Sequence, residues 1–444
     1  MKDAHTSVAQ AKRGPSVLWV LAATGLSGAS GFLVMALVGK TLGTTDYAVF
    51  GVFWSGLFLF VGVLFGIQQE TTRATAADLH QATPGRVQRS SLWVFAGAAA
   101  VVVCVVVFLS GLWWAPLTLG TGNTDLIVQM SLGAAANAVV ATISGVLAGA
   151  HLWRHLAAII AIDGVVRLLA VVSVLAVGGN TAALAWAVVL PFPVSLGLVF
   201  LASPRSLIRF SVSPLGYGRL IANSAQTMLA ASATAIIING FPLVLAFFAA
   251  QGDKALLGAL IFAITITRAP ILVPMMALQS YLVTRFTGMT ASPWPLIGRA
   301  FGIIGAVMLV LGLGTWLWGT TVFAAIMGAD FALSTVALVP LVVSSGFIGS
   351  LCVTGPALLA LGRHRSYAFG WVIASVVAVA MLFLPVGLEA KAALALSVGP
   401  VAGLIVHLFA LWRLSSGGRA DGSEAEAGHV DSARPETAST GPLQ

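Results

Sequence analysis

Apolar residues run through this chain in long, nearly unbroken blocks, and the polar residues fall between the blocks. A half-buried strand would alternate at every second position, and a surface helix would repeat every three to four. A continuous apolar block of eighteen or more residues instead has the length of a helix that crosses a bilayer. Twelve such spans are predicted, over about 16–39, 47–67, 90–111, 126–149, 155–177, 181–201, 221–249, 255–284, 297–318, 333–361, 366–386 and 391–412. The first is too long for a signal-peptide core and is kept as a span. The final 415–444 stretch is Gly, Ser, Ala, Glu and Pro, cannot bury a core, and is expected to be a disordered tail.

Composition supports the membrane class. The chain is 59% hydrophobic and 8% charged, against roughly 25% charged in soluble domains. Its net charge of +8 does not point to nucleic acid, because the basic residues are scattered over short loops rather than gathered on one face. Their distribution does set an orientation. With the N-terminus inside, seventeen of the 22 lysines and arginines fall in cytoplasmic segments and three (Lys40, Lys254, Lys391) in outer loops. That bias predicts a multi-pass protein of the cytoplasmic membrane with both termini cytoplasmic. Arg167 and Arg268 are left inside spans.

An internal repeat at an offset of about 207–212 residues divides the chain. Gly31-Phe32 matches Gly240-Phe241, and Asp46 to Gly51 matches Asp253 to Gly258. Gln69 and Arg73 match Gln279 and Arg285, and the corner His151–His155 matches Leu361–Arg365. Each half then holds six spans, which puts both halves the same way up about an axis along the membrane normal. The predicted organisation is a cytoplasmic N-terminus (1–15), an N lobe (16–202), a basic linker (203–220), a C lobe (221–414) and the tail. The linker interleaves Arg205, Arg209 and Arg219 with Leu207, Ile208, Phe210 and Leu215, and reads as an amphipathic segment on the inner leaflet.

Chemistry is sparse. Cys104 and Cys352 lie inside spans and are read as core fillers, with neither a disulfide nor a metal site. Gly39-Lys40-Thr41 resembles the end of a phosphate loop, but Val34 stands where that loop needs glycine. No nucleophile elbow or zinc-binding helix is found, and the outer loops, the longest at about 112–125, are too short for an envelope-synthesis enzyme. No cofactor is expected, and the protein is read as a non-enzyme.

The residue with most to explain is Arg268, near the middle of the eighth span and followed by Pro270 and Pro274. An arginine at that depth costs about 2.5–3.5 kcal/mol on insertion scales. On one reading it lines a central cavity and meets an anionic substrate group, for which a guanidinium is suited. On the other it snorkels, or pairs with backbone carbonyls freed by the prolines. Asp163 and Arg167 lie four apart on the fifth span and share a face. They form either a neutralised packing pair, or a second cavity cation with Asp163 as a proton or sodium site. Asn239 and Pro242 break the seventh span, so a hinge beside Arg268 is a further expectation. Gln279 and Asn239 are candidate polar partners for a substrate, and Arg73 closes the second span as a candidate gate.

Two patches resemble a known family. Gly31-Phe32 with Lys40-Thr41-Leu42-Gly43-Thr44-Thr45-Asp46-Tyr47-Ala48 is similar to the first loop of polysaccharide and lipid-linked oligosaccharide flippases. Gly145 to His151 with Arg154 is similar to that family's fourth-span exit. These flippases belong to the superfamily that also holds multidrug and toxin extrusion proteins and peptidoglycan-precursor flippases. The resemblance covers about residues 10–414. It implies a V-shaped pair of six-helix lobes around a cationic cavity, and a polyprenyl-diphosphate-linked saccharide as substrate. It also implies a lateral opening between the first and eighth spans for the lipid tail, and glycosyltransferases or a polymerase of the same pathway as partners. The first span has no arginine, which departs from the peptidoglycan-precursor flippases. The competing expectations are an ion-coupled multidrug/cation antiporter of the same fold, whose cavity should be acidic, and a non-transporting membrane component or enzyme of envelope biosynthesis.

Overall fold

A computed structural model describes residues 16–80, 90–204, 212–213, 215–287, 289, 292–328 and 333–431. Its helices are α1 (Ser16–His80), α2 (Leu92–Thr118), α3 (Leu126–Gly149), α4 (Trp153–Ala176), α5 (Thr181–Val189), α6 (Pro191–Ala202), α7 (Tyr217–Ala235), α8 (Phe241–Ala246), α9 (Lys254–Thr287), α10 (Trp294–Met327), α11 (Thr335–Ala360), α12 (His364–Met381) and α13 (Leu388–Asp431). Among the described residues, ten segments are long and apolar enough to cross a membrane, which makes this a multi-pass membrane protein.

The twelve expected spans map onto these elements. Helix α1 counts twice. At 65 residues it would reach about 100 Å if straight, three times the hydrocarbon thickness. It instead folds back at Gly43, whose φ of 72° and ψ of 171° suit a residue without Cβ. Trp54 on the second limb then packs on Gly31 of the first. The sixth span is α5 followed by α6, joined at Leu190 just before Pro191. The seventh is α7 and α8, joined by a π-helical turn over Ile236–Gly240.

Two expectations need adjusting. Helix α2 continues to Thr118, so the outer connection expected at about 112–125 shrinks to 119–125. Helix α13 continues to Asp431 through much of the stretch expected to be disordered. Adding turns to a formed helix carries no new nucleation cost, and residues 432–444 lie outside the described residues. Most of the basic linker, 205–211, lies outside them too. Its Val212–Ser213 forms a strand, β2, antiparallel to β1 (Ser90–Ser91), with Ser90 opposite Ser213.

The structure has the two-lobe architecture, with α1–α6 forming one lobe and α7–α13 the other. The repeat is exact enough to recur in hydrogen bonds. Helix α3 ends with His151 at φ 58°, while Leu152 N donates to Leu147 O (2.8 Å) and His151 N to Ala148 O (3.1 Å). Helix α11 ends with Gly362 at φ 71°, while Arg363 N donates to Leu358 O (2.8 Å) and Gly362 N to Leu359 O (3.0 Å). Both are the same left-handed helix stop, 211 residues apart. The sequence pairing at this corner, made at an offset of 210, therefore shifts by one residue.

The lobes meet chiefly where α1 packs on α7, α8 and α9. Backbone touches backbone at two places along the second limb of α1. Gly258 of α9 lies on the carbonyl of Thr44, and Gly66 lies on the main chain of Thr227 and Met228, with no room for a Cβ at either glycine. The main apolar core joins Phe50, Phe53 and Leu57 of α1 to Phe241, Leu260 and Phe262 across the lobe boundary.

Candidate functional site: a cationic cavity between the lobes

Midway between those two contacts the lobes part around a cavity of about 300 Å³. Its lining includes Ser27, Trp54, Ser55, Phe58, Arg167, Asn239, Pro242 and Arg268. It draws on both limbs of α1, on α4, on the π-turn region and on α9. Four of the residues singled out from sequence are therefore brought together: Arg268, Arg167, Asn239 and Pro242. No carboxylate is among the lining residues.

Arg268 is 4% exposed. Its Nη1 donates to Ile237 O at 3.1 Å and points to Ile238 O at 3.5 Å, and the Phe241 ring lies 5.9 Å from Cζ. Those carbonyls belong to the π-turn. Pro242 has no N–H to return to Ile238, so the seventh span offers acceptors where a regular helix would not. This corrects one half of the sequence expectation: the carbonyls that hold Arg268 come from α7–α8. Pro270 and Pro274 sit inside a continuous α9 and break nothing. The remaining edge of the guanidinium, Nε and Nη2, is buried and has no partner among the described residues.

The π-turn is braced from the other lobe. Leu243 N donates to Ser55 Oγ (3.2 Å), and that hydroxyl donates to Asn239 O (2.5 Å). A side chain from α1 thus completes a helix bond that the bulge has opened, as such insertions do in kinked helices. Sequence reading missed Ser55; a lone serine in an apolar span carries no signal until its partner 184 positions away is known.

Arg167 differs from Arg268 in kind. Its Nη2 meets Asp163 Oδ2 at 2.5 Å. Its Cζ lies 6.0, 5.1 and 5.3 Å from the rings of Trp54, Phe58 and Phe192, in the range of cation–π contact. The packing-pair reading accounts for these contacts. Arg167 also lines the cavity, while Asp163 does not.

Arg73 lies well away from the cavity. It is exposed and forms a two-point bond to Glu70, Nε to Oε2 at 2.8 Å and Nη2 to Oε1 at 2.6 Å. Glu70 also accepts from Asn223 Nδ2 of α7 at 2.9 Å, and Thr227 Oγ1 donates to Gly66 O at 2.8 Å. This polar seam ties the lobes at the Glu70 end of α1. The side chain of Gln279 lies outside the described residues. Among the described residues no cluster of metal-binding side chains occurs, and the two cysteines are unpaired.

The sequence is 34% identical over 412 residues to the uncharacterized protein Rv1510 of Mycobacterium tuberculosis, covering 90% of this chain and 92% of the relative. The chain belongs to the family of Rv1510. A second M. tuberculosis relative, the uncharacterized protein Rv3630, is 29% identical over 402 residues, again with 90% and 92% covered. No protein-family model matches the chain. Among solved structures, the lipid II flippase MurJ in an inward closed conformation superposes with a TM-score of 0.67 at 14% identity, covering 89% of this chain and 87% of MurJ. An inward-facing multidrug resistance MATE family transporter of the MOP superfamily gives 0.64 at 13% identity, covering 90% and 98%. This Rv1510-family protein therefore has the fold of the MOP superfamily. At such identities the likeness speaks for the fold alone.

Proposed function

We propose that this protein is a transporter of the cytoplasmic membrane that moves an anionic, lipid-linked head group across the bilayer. The substrate class we assign is a polyprenyl-diphosphate-linked saccharide for the cell surface. The observation that carries the reading is the free edge of Arg268. With Nη1 occupied by backbone carbonyls, Nε and Nη2 form the side-on fork that takes two oxygens of one phosphate. The fork lies in a cavity lined by a second arginine and by no carboxylate. An intramembrane cation left without an anion is a functional signal by default.

In this mechanism the lysine and arginine bias sets the Glu70 end of α1 inside. The phosphates settle on Arg268, with Asn239 as a further polar partner, while the prenyl tail stays in lipid. A cavity of about 300 Å³ is at the small end of the ligand-site range, so a saccharide needs the lobes to part. The lobes rock about the contact of α1 with α7–α9, with Pro242 and the π-turn as hinge and Arg73 with Glu70 at the inner gate. Pro270 and Pro274 let α9 adjust. Membrane glycosyltransferases would supply the substrate and a polymerase would consume it.

The MATE likeness supports a second reading, a multidrug antiporter, but the cavity lining offers a cationic drug no carboxylate and sets the uncompensated Arg268 against it. The test is translocation of a fluorescent polyprenyl-diphosphate saccharide in proteoliposomes. Arg268→Ala and Arg268→Lys should each lower the rate about tenfold or more, as expected for losing a charge-assisted bond of about 1.5–3 kcal/mol. Unchanged rates would sink this reading, and uptake of a cationic dye by the wild type would favour the second.

A further inference from the structure

Outside the cavity, the N lobe carries a groove between membrane-spanning helices. It encloses about 380 Å³, and its apolar lining includes Trp93 of α2, Val139 of α3 and Pro193, Leu196, Gly197 and Phe200 of α6. Trp93 stands in the first turn of α2 and Phe200 in the last turn of α6, with their rings edge to face at 6.0 Å. Pro193 lies two turns back from Phe200, about 10 Å along the helix axis. The groove therefore runs from the helix ends toward the middle of the bilayer, which is the direction an acyl chain takes. At Gly197 no atom lies within 4 Å of where a Cβ would stand, so the α6 side is open.

Basic residues stand at the mouth. Trp153 of α4 belongs to the same apolar cluster as Trp93, Val139, Leu196 and Phe200, which brings its neighbour Arg154 to that end. His151 and Arg154 are exposed, and the His151 ring lies 5.8 Å from that of Trp153. Among the described residues no carboxylate pairs with Arg154. The basic-residue bias sets this end inside, where interfacial tryptophans meet head groups and anionic lipids attract arginine. A cation above an apolar channel matches the two parts of an anionic phospholipid. Neither a bare hydrocarbon nor a soluble anion would engage both.

The repeat supplies an internal control. At the offset of 211, Trp93, Leu196 and Phe200 correspond to Ile304, His407 and Leu411, all of them buried. The C-lobe counterpart is filled because α13 packs along α11 more closely than α6 does along α3. Arg154 corresponds to Arg365, exposed at the head of α12. The C lobe thus has the cation without the groove, and the N lobe has both.

We propose that this groove and Arg154 form a site for one anionic phospholipid of the inner leaflet, with its chain between α2, α3 and α6 and its phosphate on Arg154. The site does not depend on the transport reading. The test titrates the full-length protein, delipidated in detergent, with palmitoyl-oleoyl phosphatidylglycerol or phosphatidylcholine, and counts bound lipid by native mass spectrometry. One phosphatidylglycerol should bind about fivefold more tightly than phosphatidylcholine, the effect of one arginine near an anionic head group. Arg154→Ala should remove that preference, and Arg365→Ala should keep it. Gly197→Leu, which fills the groove, should weaken both lipids about tenfold or more. Phosphatidylglycerol with a brominated chain should quench the fluorescence that Trp93→Phe removes. Equal affinity for the two lipids in the wild type, or equal losses in Arg154→Ala and Arg365→Ala, overturns the head-group contact. Unchanged binding in a folded Gly197→Leu, or dimers in place of lipid-bound monomers, overturns the groove. So does a brominated chain that leaves Trp93 unquenched, whether or not Gly197→Leu folds. Arg268→Ala should bind phosphatidylglycerol as the wild type does; a loss there would put the lipid in the cavity and overturn the site.

Discussion

Two arginines line the same cavity and are held in opposite ways. Arg167 has a carboxylate on Nη2 and three aromatic rings around it. Arg268 has two backbone carbonyls on one nitrogen and an empty edge. Both are buried at 2% and 4% exposure, so burial alone does not separate them. The difference lies in who neutralises the charge. Arg167 is compensated within its own helix, at a spacing of four. Arg268 is compensated only by dipoles, and is held at a cost that an incoming anion would offset. Depth in the membrane marks a charge as unusual, and its partners decide whether it is already used.

The sharpest break of this comparison is Asp163→Ala. Stranding Arg167 should destabilise the fold by about 3–5 kcal/mol, the cost of an uncompensated buried charge, and Asp163→Ala with Arg167→Met should recover most of it. Thermal unfolding of the purified protein in detergent checks both; a wild-type melting point for the single variant would mean the carboxylate is not what holds Arg167. Arg268→Met should do the reverse. It should raise stability by about 1–4 kcal/mol, the gain seen when buried charge is replaced by well-packed apolar side chains, while transport falls. A loss of stability would place Arg268 among the structural residues.

Ser55→Ala probes the brace rather than the charge. It leaves Leu243 N–H without its acceptor, so about 1–3 kcal/mol should be lost, and transport should fall even though no cavity cation is touched. Equal transport in this variant would separate the bulge from the function of Arg268. The smallest effect is expected at the inner seam. Arg73→Ala removes the exposed cation (57%) of a pair whose carboxylate is 2% exposed and keeps Asn223 as donor, so about 1 kcal/mol of stability should be lost. It should show mainly as easier opening, read by cysteine labelling of cavity residues from the cytoplasmic side.

Much of the fold was legible because its signals are local. A span is a run of apolar residues, and the reversal at Gly43 sits in a polar break between two such runs. The repeat shows as a nearly constant offset, visible again in the matched helix stops at His151 and Gly362. The pairing of Asp163 with Arg167 was also readable, because four residues make one turn. The candidate site was legible only in part. Arg268 stood out by its depth, but the source of its carbonyls did not, and the nearby prolines pointed to the wrong helix. Ser55 gave no signal, since it is an ordinary residue whose partner lies 184 positions away.

Hydropathy along the chain was enough to place this protein in a bilayer and to mark where its apolar spans lie, because that signal acts over a single helix. Which backbone meets Arg268 was settled by packing between helices. Neutralising a buried charge needs atoms within about 4 Å, and for Arg268 those atoms are brought by the seventh span, some thirty residues back along the chain.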